Sequence, residues 1–450
     1  MKTRFLLPLV FSALIFSCSK QPQPIAITAE DYHKAIDNVT AIQVHDIFSP
    51  PVAARIFSYS SIAAYEAVQA SSDDYQSLGG QLRELTPTPP PDDTTALNYR
   101  VAALVAFYDI AKQLIFSEDQ ITTYRDSLYT VWEKENETSY TNSKNYGLKV
   151  AQHIRSWMAK DMYAETRTMP KFSVYTEDEG RWQPTPPAYM DGIEPHWSKI
   201  RPFLLKSPDQ FKPIPPPKFS MEEGTKFHDE LMEVYNTRMH IQETGDNGKE
   251  IGIAKFWDCN PYVSTQNGHL MFATKKITPG AHWIGITKIA CRKTDADFEK
   301  TVAAYTKTAI AISDGFISCW DEKYRSNLIR PETLINKYID ESWKPVLQTP
   351  PFPEYTSGHS VVSGAAAIIL TDIFGDNFTF DDDTETPYGI PIRTFNSFNE
   401  ASAEAAISRM YGGIHYRAAI EQGLKQGRLL GNYVVDNLHL TTNKHNLAIN

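Results

Sequence analysis

The stretch WDEKYRSNLIRP, residues 320–331, brings two long cationic side chains close together in the sequence. Lys323 and Arg330 are seven residues apart, so on one continuous helix they would lie two turns apart on nearly one face. Both side chains are long enough to reach a single anion, and Pro331 predicts that the helix stops there. The stretch therefore predicts a helix that brings positive charge to an anion-binding site.

A second cluster, TSGH at residues 356–359, precedes a long apolar run from Val361 to Ile373. A Ser357-Gly358 pair at the start of such a run is typical of a helix N-terminus. Free backbone N–H groups and the helix dipole favour an anion at that end. This cluster therefore predicts neutral donors for the same anion.

A third cluster, SRMYGGIH at residues 408–415, adds a cation and an imidazole. Arg409 would join Lys323 and Arg330 as a third positive charge, with a fork suited to bidentate contact with an oxyanion. His415 would add a nitrogen that could bond directly to the central atom. Together the three clusters predict a site for one tetrahedral oxyanion.

In this order and spacing, Lys-x6-Arg-Pro, Ser-Gly-His and Ser-Arg-x5-His resemble the signature that joins type 2 phosphatidic-acid phosphatases to vanadium-dependent haloperoxidases. The resemblance implies a mainly α fold, with two packed helical bundles in one domain and the site in the second bundle. It implies that His415 is the axial vanadium ligand, or a nucleophile towards a phosphate ester, and that His359 is the acid–base group. The residues implied to hold vanadate or phosphate are Lys323, Arg330, Ser357, Gly358 and Arg409.

Two aromatic residues favour the haloperoxidase branch. Trp320 and Phe352 stand at offsets that resemble the halide-site aromatics of fungal chloroperoxidase. An enzyme of that branch would carry vanadate and use hydrogen peroxide to oxidise halide to hypohalous acid. Either aromatic taken alone is more often a core residue.

The chain departs from the family pattern at two positions. Thr356 replaces the proline that usually precedes Ser-Gly-His, which we expect to be tolerated just before a helix. Ala419 stands one helical turn after His415, where many members have an aspartate that can orient the imidazole. This loss weakens the phosphatase interpretation most, because a nucleophilic histidine benefits from an orienting acid, and another group would have to replace it.

Two other functions stay open. One is an acid phosphatase that acts on a phosphomonoester or a lipid phosphate through a phosphohistidine, although no apolar run after the N-terminus is long enough for a membrane helix. The other is a non-catalytic surface lipoprotein with a vestigial anion site. The formal net charge of −10 argues against nucleic acid or an anionic membrane as the main partner.

The N-terminus has the pattern of a secretory signal. A positive start at Met1–Arg4 precedes an apolar core at Phe5–Phe16 and a small-residue cleavage site that ends in Cys18. It resembles a bacterial lipoprotein box, which predicts an exported, membrane-anchored protein with a lipidated Cys18; a plain signal peptide is the alternative. The predicted organisation is a signal peptide over 1–18, a tether over 19–30 and a single all-α domain over 31–440, with the oxyanion site in 280–437.

Helical periodicity dominates the rest of the chain. We expect a capping box at Ser117 and Gln120, and a helix cap at Thr294. The proline-rich segment 166–219 predicts an ordered wrapping loop that helps to roof the site, and 378–392 predicts a hairpin. The predicted helices cover about 53–70, 97–116, 117–135, 143–162, 221–236, 282–291, 295–321, 357–374, 399–410 and a final segment to 436.

Three cysteines follow Cys18. An odd number cannot pair completely within the chain in an oxidising compartment. A Cys259–Cys291 disulfide is conceivable, and the sequence leaves it open. Cys319 lies among apolar residues, which is typical of a small buried hydrophobe rather than a nucleophile.

Two regions upstream of the signature also resemble bacterial haloperoxidases, namely Phe256–Asp258 and Pro279–Trp283. Within the second, His282 is a weaker candidate for contact with the site. The acids Asp381–Asp383 are clustered as in a solvated loop, with a weak calcium site as the alternative.

Overall fold

The computed structural model of the chain describes residues 23–245, 248–267, 270–273 and 275–442. The predicted signal peptide and Cys18 lie outside these residues. Over the described ranges, no helix combines the length and the apolar character that a bilayer crossing requires.

The first half of the chain builds a helical group around α2. Every residue of α2 is buried, and the helix packs against α3, α5 and the later helix α10. Its start is fixed by Ser49, whose hydroxyl accepts the N–H of Val52, and by Pro50 at the first helical position. The helices are α1 (Ala29–Asp46), α2 (Pro50–Val68), α3 (Tyr99–Lys112), α4 (Glu118–Glu135), α5 (Glu137–Met158) and α6 (Tyr163–Thr166).

The second half packs on the first through α10, which contacts α2 as well as α9 and α12. The mainly α, helical-bundle fold predicted from the sequence is therefore confirmed. The helices are α7 (Lys226–Thr244), α8 (Lys249–Phe256), α9 (Pro279–Lys293), α10 (Phe298–Ser326), α11 (Pro331–Tyr338), α12 (Gly358–Phe374), α13 (Phe398–Tyr411) and α14 (Arg417–Asn437).

Helices α12 and α14 approach each other unusually closely. Gly427 is the point of contact, because a Cβ atom at this position would lie 2.0 Å from the carbonyl oxygen of Val361. Gly423 and Gly431 lie one turn before and after it on the same face. This packing sets the beginning of α12 beside the beginning of α14, and the N–H of Ser357 donates to the carbonyl of Ala419 at 3.1 Å.

Two short antiparallel hairpins complete the secondary structure of the described chain. Strands β1 (Ser264–Asn267) and β2 (Leu270–Ala273) form the first, which the sequence did not predict. Strands β3 (Phe380–Asp382) and β4 (Arg393–Phe395) form the second, with Phe380 opposite Phe395. The hairpin predicted over 378–392 is thus present, with its second strand slightly later.

Three local predictions are wrong. The Ser117 hydroxyl does not cap α4; it donates to Asp46 instead. Thr294 does not cap α10, because its hydroxyl donates back to α9, while Asp297 accepts the N–H of Lys300 at 2.8 Å. The tether does not extend to residue 30, because Ile25 and Ile27 are buried against the core before α1 begins.

The segment 166–219 is ordered without regular secondary structure, apart from one short 3-10 turn at Trp197–Lys199. Buried Asp314 of α10 fixes part of it by accepting three successive backbone N–H groups, from Phe203, Leu204 and Leu205, at 2.7, 2.8 and 3.0 Å. The segment therefore wraps α10, as predicted.

Candidate active site

Lys323 and Arg330 converge, but not along one helix face as predicted. Helix α10 ends at Ser326 because Asn327 adopts a left-handed conformation (φ 46°, ψ 41°), which asparagine tolerates well. Lys323 therefore lies in the last turn of α10, whereas Arg330 lies in an extended segment and Pro331 opens α11. The prediction was wrong because one residue in the spacer leaves the helical conformation.

The backbone of Phe352–Glu354 holds both cations. The Nζ atom of Lys323 donates to the carbonyls of Pro353 and Glu354, each at 3.0 Å. The Nε atom of Arg330 donates to the carbonyl of Phe352 at 3.0 Å. Both cationic side chains are fully buried, so this irregular segment fixes their positions.

Glu354 orients His415 and supplies the carboxylate that Ala419 lacks. Its Oε1 atom lies 2.7 Å from His415 Nδ1 and also accepts the N–H of Tyr416 at 3.0 Å. An Nη1 atom of Arg330 lies 3.2 Å from His415 Nε2, and arginine is only a donor. The neutral imidazole therefore carries its proton on Nδ1 and keeps the lone pair of Nε2.

The beginning of α12 is formed as the sequence predicts. Ser357 is the N-cap, and its hydroxyl accepts the N–H of Ser360 at 3.3 Å. Gly358 and His359 occupy the first helical positions, where backbone N–H groups have no partner within the helix. Thr356, in place of the usual proline, is buried and donates to Gln426 at 2.8 Å.

His359 presents a free nitrogen. Its hydrogen bond with the Trp257 backbone occupies one ring nitrogen, and Nε2 is buried without a partner in the described part of the chain. Burial, and next the charge of Arg409, hold the pKa of His359 well below its ordinary value. His359 is therefore neutral at neutral pH, with the lone pair of Nε2 available.

The donor set fits an oxyanion. Besides His359 Nε2, two buried guanidinium nitrogens, Arg330 Nη2 and Arg409 Nε, have no partner among the described residues. A buried polar group left unpaired costs about 1–3 kcal/mol, and a charged group more. A ligand with several acceptor oxygens would satisfy these donors, so the residues present suit vanadate.

Most of the site residues predicted from the sequence line one cavity. Trp320 and Phe352 both line it, with ring centroids 5.0 Å apart. Lys323, Arg330 and Ser357 are buried and are not among the lining residues. The lining residues are Pro50, Cys259, Asn260, Pro261, Pro279, Phe316, Trp320, Pro350, Phe352, Gly358, His359, Arg409, Ile414 and His415.

The wrapping segment 166–219 supplies none of these described lining residues, so its predicted role as a roof is wrong. It supports the wall from outside instead, because Trp320 Nε1 donates to the Ile193 carbonyl at 3.2 Å and the Tyr324 hydroxyl donates there at 2.6 Å. The segment packs on the outer side of α10, which places it behind the aromatic wall.

The electrostatics of the site favour an incoming anion. Burial lowers the pKa of Lys323 to about 7 and that of Arg330 to about 10. Burial also raises the pKa of Glu354 to about 8 and, with Arg330 next in importance, holds that of His415 well below its usual value. Each shift disfavours a buried charge, so a negative ligand would restore the charged form of the cations.

The weaker candidates lie beside the cavity. His282 does not line it; the ring stacks on Trp257, with centroids 4.5 Å apart, and Nε2 lies 2.9 Å from Asp382 Oδ2. Asp381 and Asp383 are exposed, but Asp382 is fully buried. The prediction of a solvated acidic loop is therefore wrong for Asp382, because it bonds the imidazole.

The three described cysteines are free and buried. Cys259 and Cys291 form no disulfide, and Cys259 contacts His282 instead, at 3.3 Å. Cys319 is the buried small residue that was expected, with its thiol 3.5 Å from the Thr356 carbonyl.

Comparison with known proteins identifies the family. Residues 303–444 match the family model described as the VCPO second helical-bundle domain. The crystal structure of a bacterial vanadium-dependent iodoperoxidase is 64% identical, with a TM-score of 0.91, and the match covers 94% of this chain and 100% of that one. A search among curated proteins gives no match.

Two more distant structures share the fold. Apo-type bacterial vanadium-dependent chloroperoxidase is 15% identical, with a TM-score of 0.66 over 86% of this chain and 94% of that one. The holo-type structure is 14% identical, with a TM-score of 0.62 over 89% and 91%. From its identity to the iodoperoxidase over nearly the whole length, the chain belongs to the vanadium-dependent haloperoxidase family and is a peroxidase whose cofactor is vanadate.

Proposed function

We propose that Lys323, Arg330, Ser357, Gly358 and Arg409 hold the vanadate of this haloperoxidase, and that His415 Nε2 is the nitrogen that binds vanadium. The observation that carries the proposal is the set of buried, unpartnered donor nitrogens on Arg330 and Arg409. These donors come from separate parts of the chain, and one of the two, Arg409, lines the same cavity as His415.

The cations act by their fixed position. Vanadate, when bound, supplies a Lewis-acidic centre that activates hydrogen peroxide towards halide with no change in its own oxidation state. The guanidinium groups of Arg330 and Arg409 are each held by a backbone carbonyl, at 3.0 Å from Phe352 and 2.7 Å from Trp257. Because they are held in place before the ligand arrives, little reorganisation is needed when negative charge develops.

His359 is the acid–base group in this proposal. Its low pKa keeps the imidazole neutral, so that Nε2 can accept a proton from hydrogen peroxide and later return it to the departing oxygen. The backbone carbonyl of Trp257 holds the other ring nitrogen. Since Trp257 also holds Arg409, one peptide group positions both the base and a cation.

The aromatic wall supports iodide as the preferred halide. Trp320 and Phe352 present apolar, polarisable faces to the cavity, and a large, weakly hydrated anion loses less hydration there than a small one. The relative that is 64% identical is an iodoperoxidase, which supports the same choice.

The test uses phosphate-stripped protein, reconstituted with orthovanadate and assayed with hydrogen peroxide and iodide. We expect Arg409→Met to weaken vanadate binding by about 100-fold, because it removes a charge-assisted contact of roughly 1.5–3 kcal/mol. Arg292→Met is the matched control, since Arg292 is an exposed arginine paired with Glu30. Equal vanadate affinity in the two variants would contradict the proposed site.

A phosphatase activity of the vanadate-free protein is the second candidate. Glu354 favours it, because this residue gives His415 the orienting acid that Ala419 appeared to remove. The vanadate-free protein would then hydrolyse a phosphomonoester through His415, and vanadate would inhibit it. Failure of both halide oxidation and ester hydrolysis would leave the non-catalytic alternative.

Export and lipidation at Cys18 are part of the proposal. The support is the signal-like pattern of residues 1–18. We expect a full-length bacterial product to sediment with membranes and its mature N-terminus to carry lipid by mass spectrometry. Cys18→Ser should release it; a membrane-bound Cys18→Ser protein would contradict the anchor.

A further inference from the structure

Beside the cavity lies a buried group of potential metal ligands that the haloperoxidase reaction does not use. Cys259 Sγ lies 3.3 Å from His282 Nδ1 and 3.5 Å from Glu385 Oε1, and the last two atoms are 3.3 Å apart. We propose that Cys259, His282 and Glu385 bind a zinc-type divalent metal ion.

The distances between the three ligand atoms fit tetrahedral coordination of a metal ion. With zinc bonds of about 2.3 Å to sulfur and about 2.0–2.2 Å to nitrogen or oxygen, neighbouring ligand atoms are roughly 3.3–3.7 Å apart. All three distances in the cluster fall inside that interval. One face of the coordination shell is therefore already assembled, and water would take the fourth position.

A second layer of hydrogen bonds orients the His282 ligand, as is usual for histidines that bind metals. His282 Nε2 lies 2.9 Å from Asp382 Oδ2, which directs Nδ1 towards Cys259 and Glu385. Asp382 is in turn held by the N–H and hydroxyl of Thr384, at 3.1 and 2.7 Å. A carboxylate on the distal nitrogen of a ligating histidine fixes its tautomer and raises its basicity.

The charges around the cluster suit a divalent cation. The carboxylates of Asp382 and Glu385 lie 2.9 and 3.3 Å from the two ring nitrogens of His282. Because zinc binds the thiolate form of cysteine and a histidine nitrogen that carries no proton, binding of Zn²⁺ would release the thiol proton of Cys259.

The ion would stabilise a segment that serves the vanadate site. Residues 257–260 follow the end of α8 without regular structure, and Cys259 lines the cavity. The Trp257 carbonyl holds Arg409, and its ring stacks on His282. Metal bound at Cys259 and His282 would therefore fix the part of the chain that orients Arg409.

Metal content tests the proposal without reference to peroxidase activity. Full-length protein purified without chelator, incubated with Zn²⁺ and separated from free metal, should contain about one zinc per chain by plasma mass spectrometry. Cys291→Ser should match it, because Cys291 is an equally buried free cysteine outside the cluster. Cys259→Ser should lose most of the metal, and Glu385→Gln should bind it more weakly.

Cobalt substitution provides a second measurement. Co²⁺ in the wild type should show a thiolate-to-cobalt charge-transfer band that Cys259→Ser lacks, while circular dichroism verifies that both are folded. If Cys259→Ser does not fold, Glu385→Gln alone decides by its metal affinity. A wild type without stoichiometric metal, or metal content unchanged in a folded Cys259→Ser or Glu385→Gln, would overturn the proposal.

Discussion

Two buried histidines each contact a carboxylate, yet their pKa values are shifted in opposite directions. Glu354 contacts His415 at 2.7 Å, and Asp382 contacts His282 at 2.9 Å. Burial together with neighbouring cations, first Arg330, holds the pKa of His415 well below the ordinary value. Burial also acts to lower the pKa of His282, but Asp382 and Cys259 outweigh it and raise that pKa well above normal.

The difference shows that a carboxylate partner orients an imidazole without fixing its charge. Burial and the cations around His415 keep it neutral, so Nε2 has the lone pair that a metal ligand requires, and in the vanadate-free protein this lone pair faces Arg330 Nη1 at 3.2 Å. His282 instead contacts two carboxylates, those of Asp382 and Glu385, and the Cys259 thiol, and these groups favour a proton or a metal ion. The predictions below test this contrast.

The largest effect should come from removing the neutral imidazole. His415→Ala should reduce vanadate-dependent iodide oxidation by roughly 10³-fold or more, because the variant loses a ligand of the reacting centre. His282→Ala should leave vanadate affinity within about tenfold, since His282 does not line the cavity and reaches it only through its contacts with Trp257 and Cys259. Equilibrium dialysis measures the vanadate affinity of both variants, and steady-state assays measure their iodide oxidation. Equal losses of these two quantities in His415→Ala and His282→Ala would remove the distinction between the two histidines.

Removal of the Glu354 carboxylate, which orients His415, should reduce vanadate affinity by an intermediate amount. We expect Glu354→Ala to weaken vanadate binding by about 10–100-fold, as for other groups that orient a metal ligand. Glu354→Gln should lose less, because an amide oxygen can still accept from His415 Nδ1 and from the Tyr416 N–H. The contrast fails if both variants bind vanadate like the wild type, which equilibrium dialysis would show.

A rise in pH should have a smaller effect on vanadate affinity. Lys323 has a pKa of about 7 in the vanadate-free protein, and an anion favours its protonated form. The lysine contribution to binding is therefore fully present below pH 7 and decreases above it, by at most about tenfold per pH unit. The ratio of vanadate affinities between wild type and Lys323→Met isolates this contribution from the titration of vanadate, and a ratio independent of pH would refute it.

The smallest effect on the reaction should come from Asp382→Asn. Loss of the charged partner of His282 should lower the free energy of unfolding by about 1–3 kcal/mol, as measured by denaturant titration. Vanadate affinity should change by no more than about twofold, because the two pairs share no direct hydrogen bond. A large loss of vanadate binding without a change in stability would mean that the pairs are coupled more strongly than their contacts indicate.

The sequence was sufficient for the family and most helices, because both depend on local patterns. The three signature clusters are short and rigidly spaced, and the apolar run behind Ser357 gives α12 its correct start. Helix α1 was missed although its buried residues Tyr32, Ile36 and Val39 lie three to four positions apart. That spacing is a helical signal, so the sequence did contain the evidence for α1.

Glu354 was missed because its role depends on tertiary contact. It lies 61 residues from His415 in the chain and outside the quoted motifs, so no spacing rule connects them. The break at Asn327 was missed for a related reason, since a single left-handed residue leaves little trace in periodicity. In both cases the site is assembled by the irregular segments between motifs rather than by the motifs alone.

The wall of the cavity has a consequence for the durability of the enzyme during turnover. Four prolines, Pro50, Pro261, Pro279 and Pro350, line the cavity, and its described lining contains no methionine, tyrosine or lysine. Proline lacks a side chain that hypohalous acid readily attacks, whereas thiols and thioethers are oxidised easily. Gradual self-inactivation should therefore begin at the oxidisable residues of the described lining, which are Cys259, Trp320, His359 and His415.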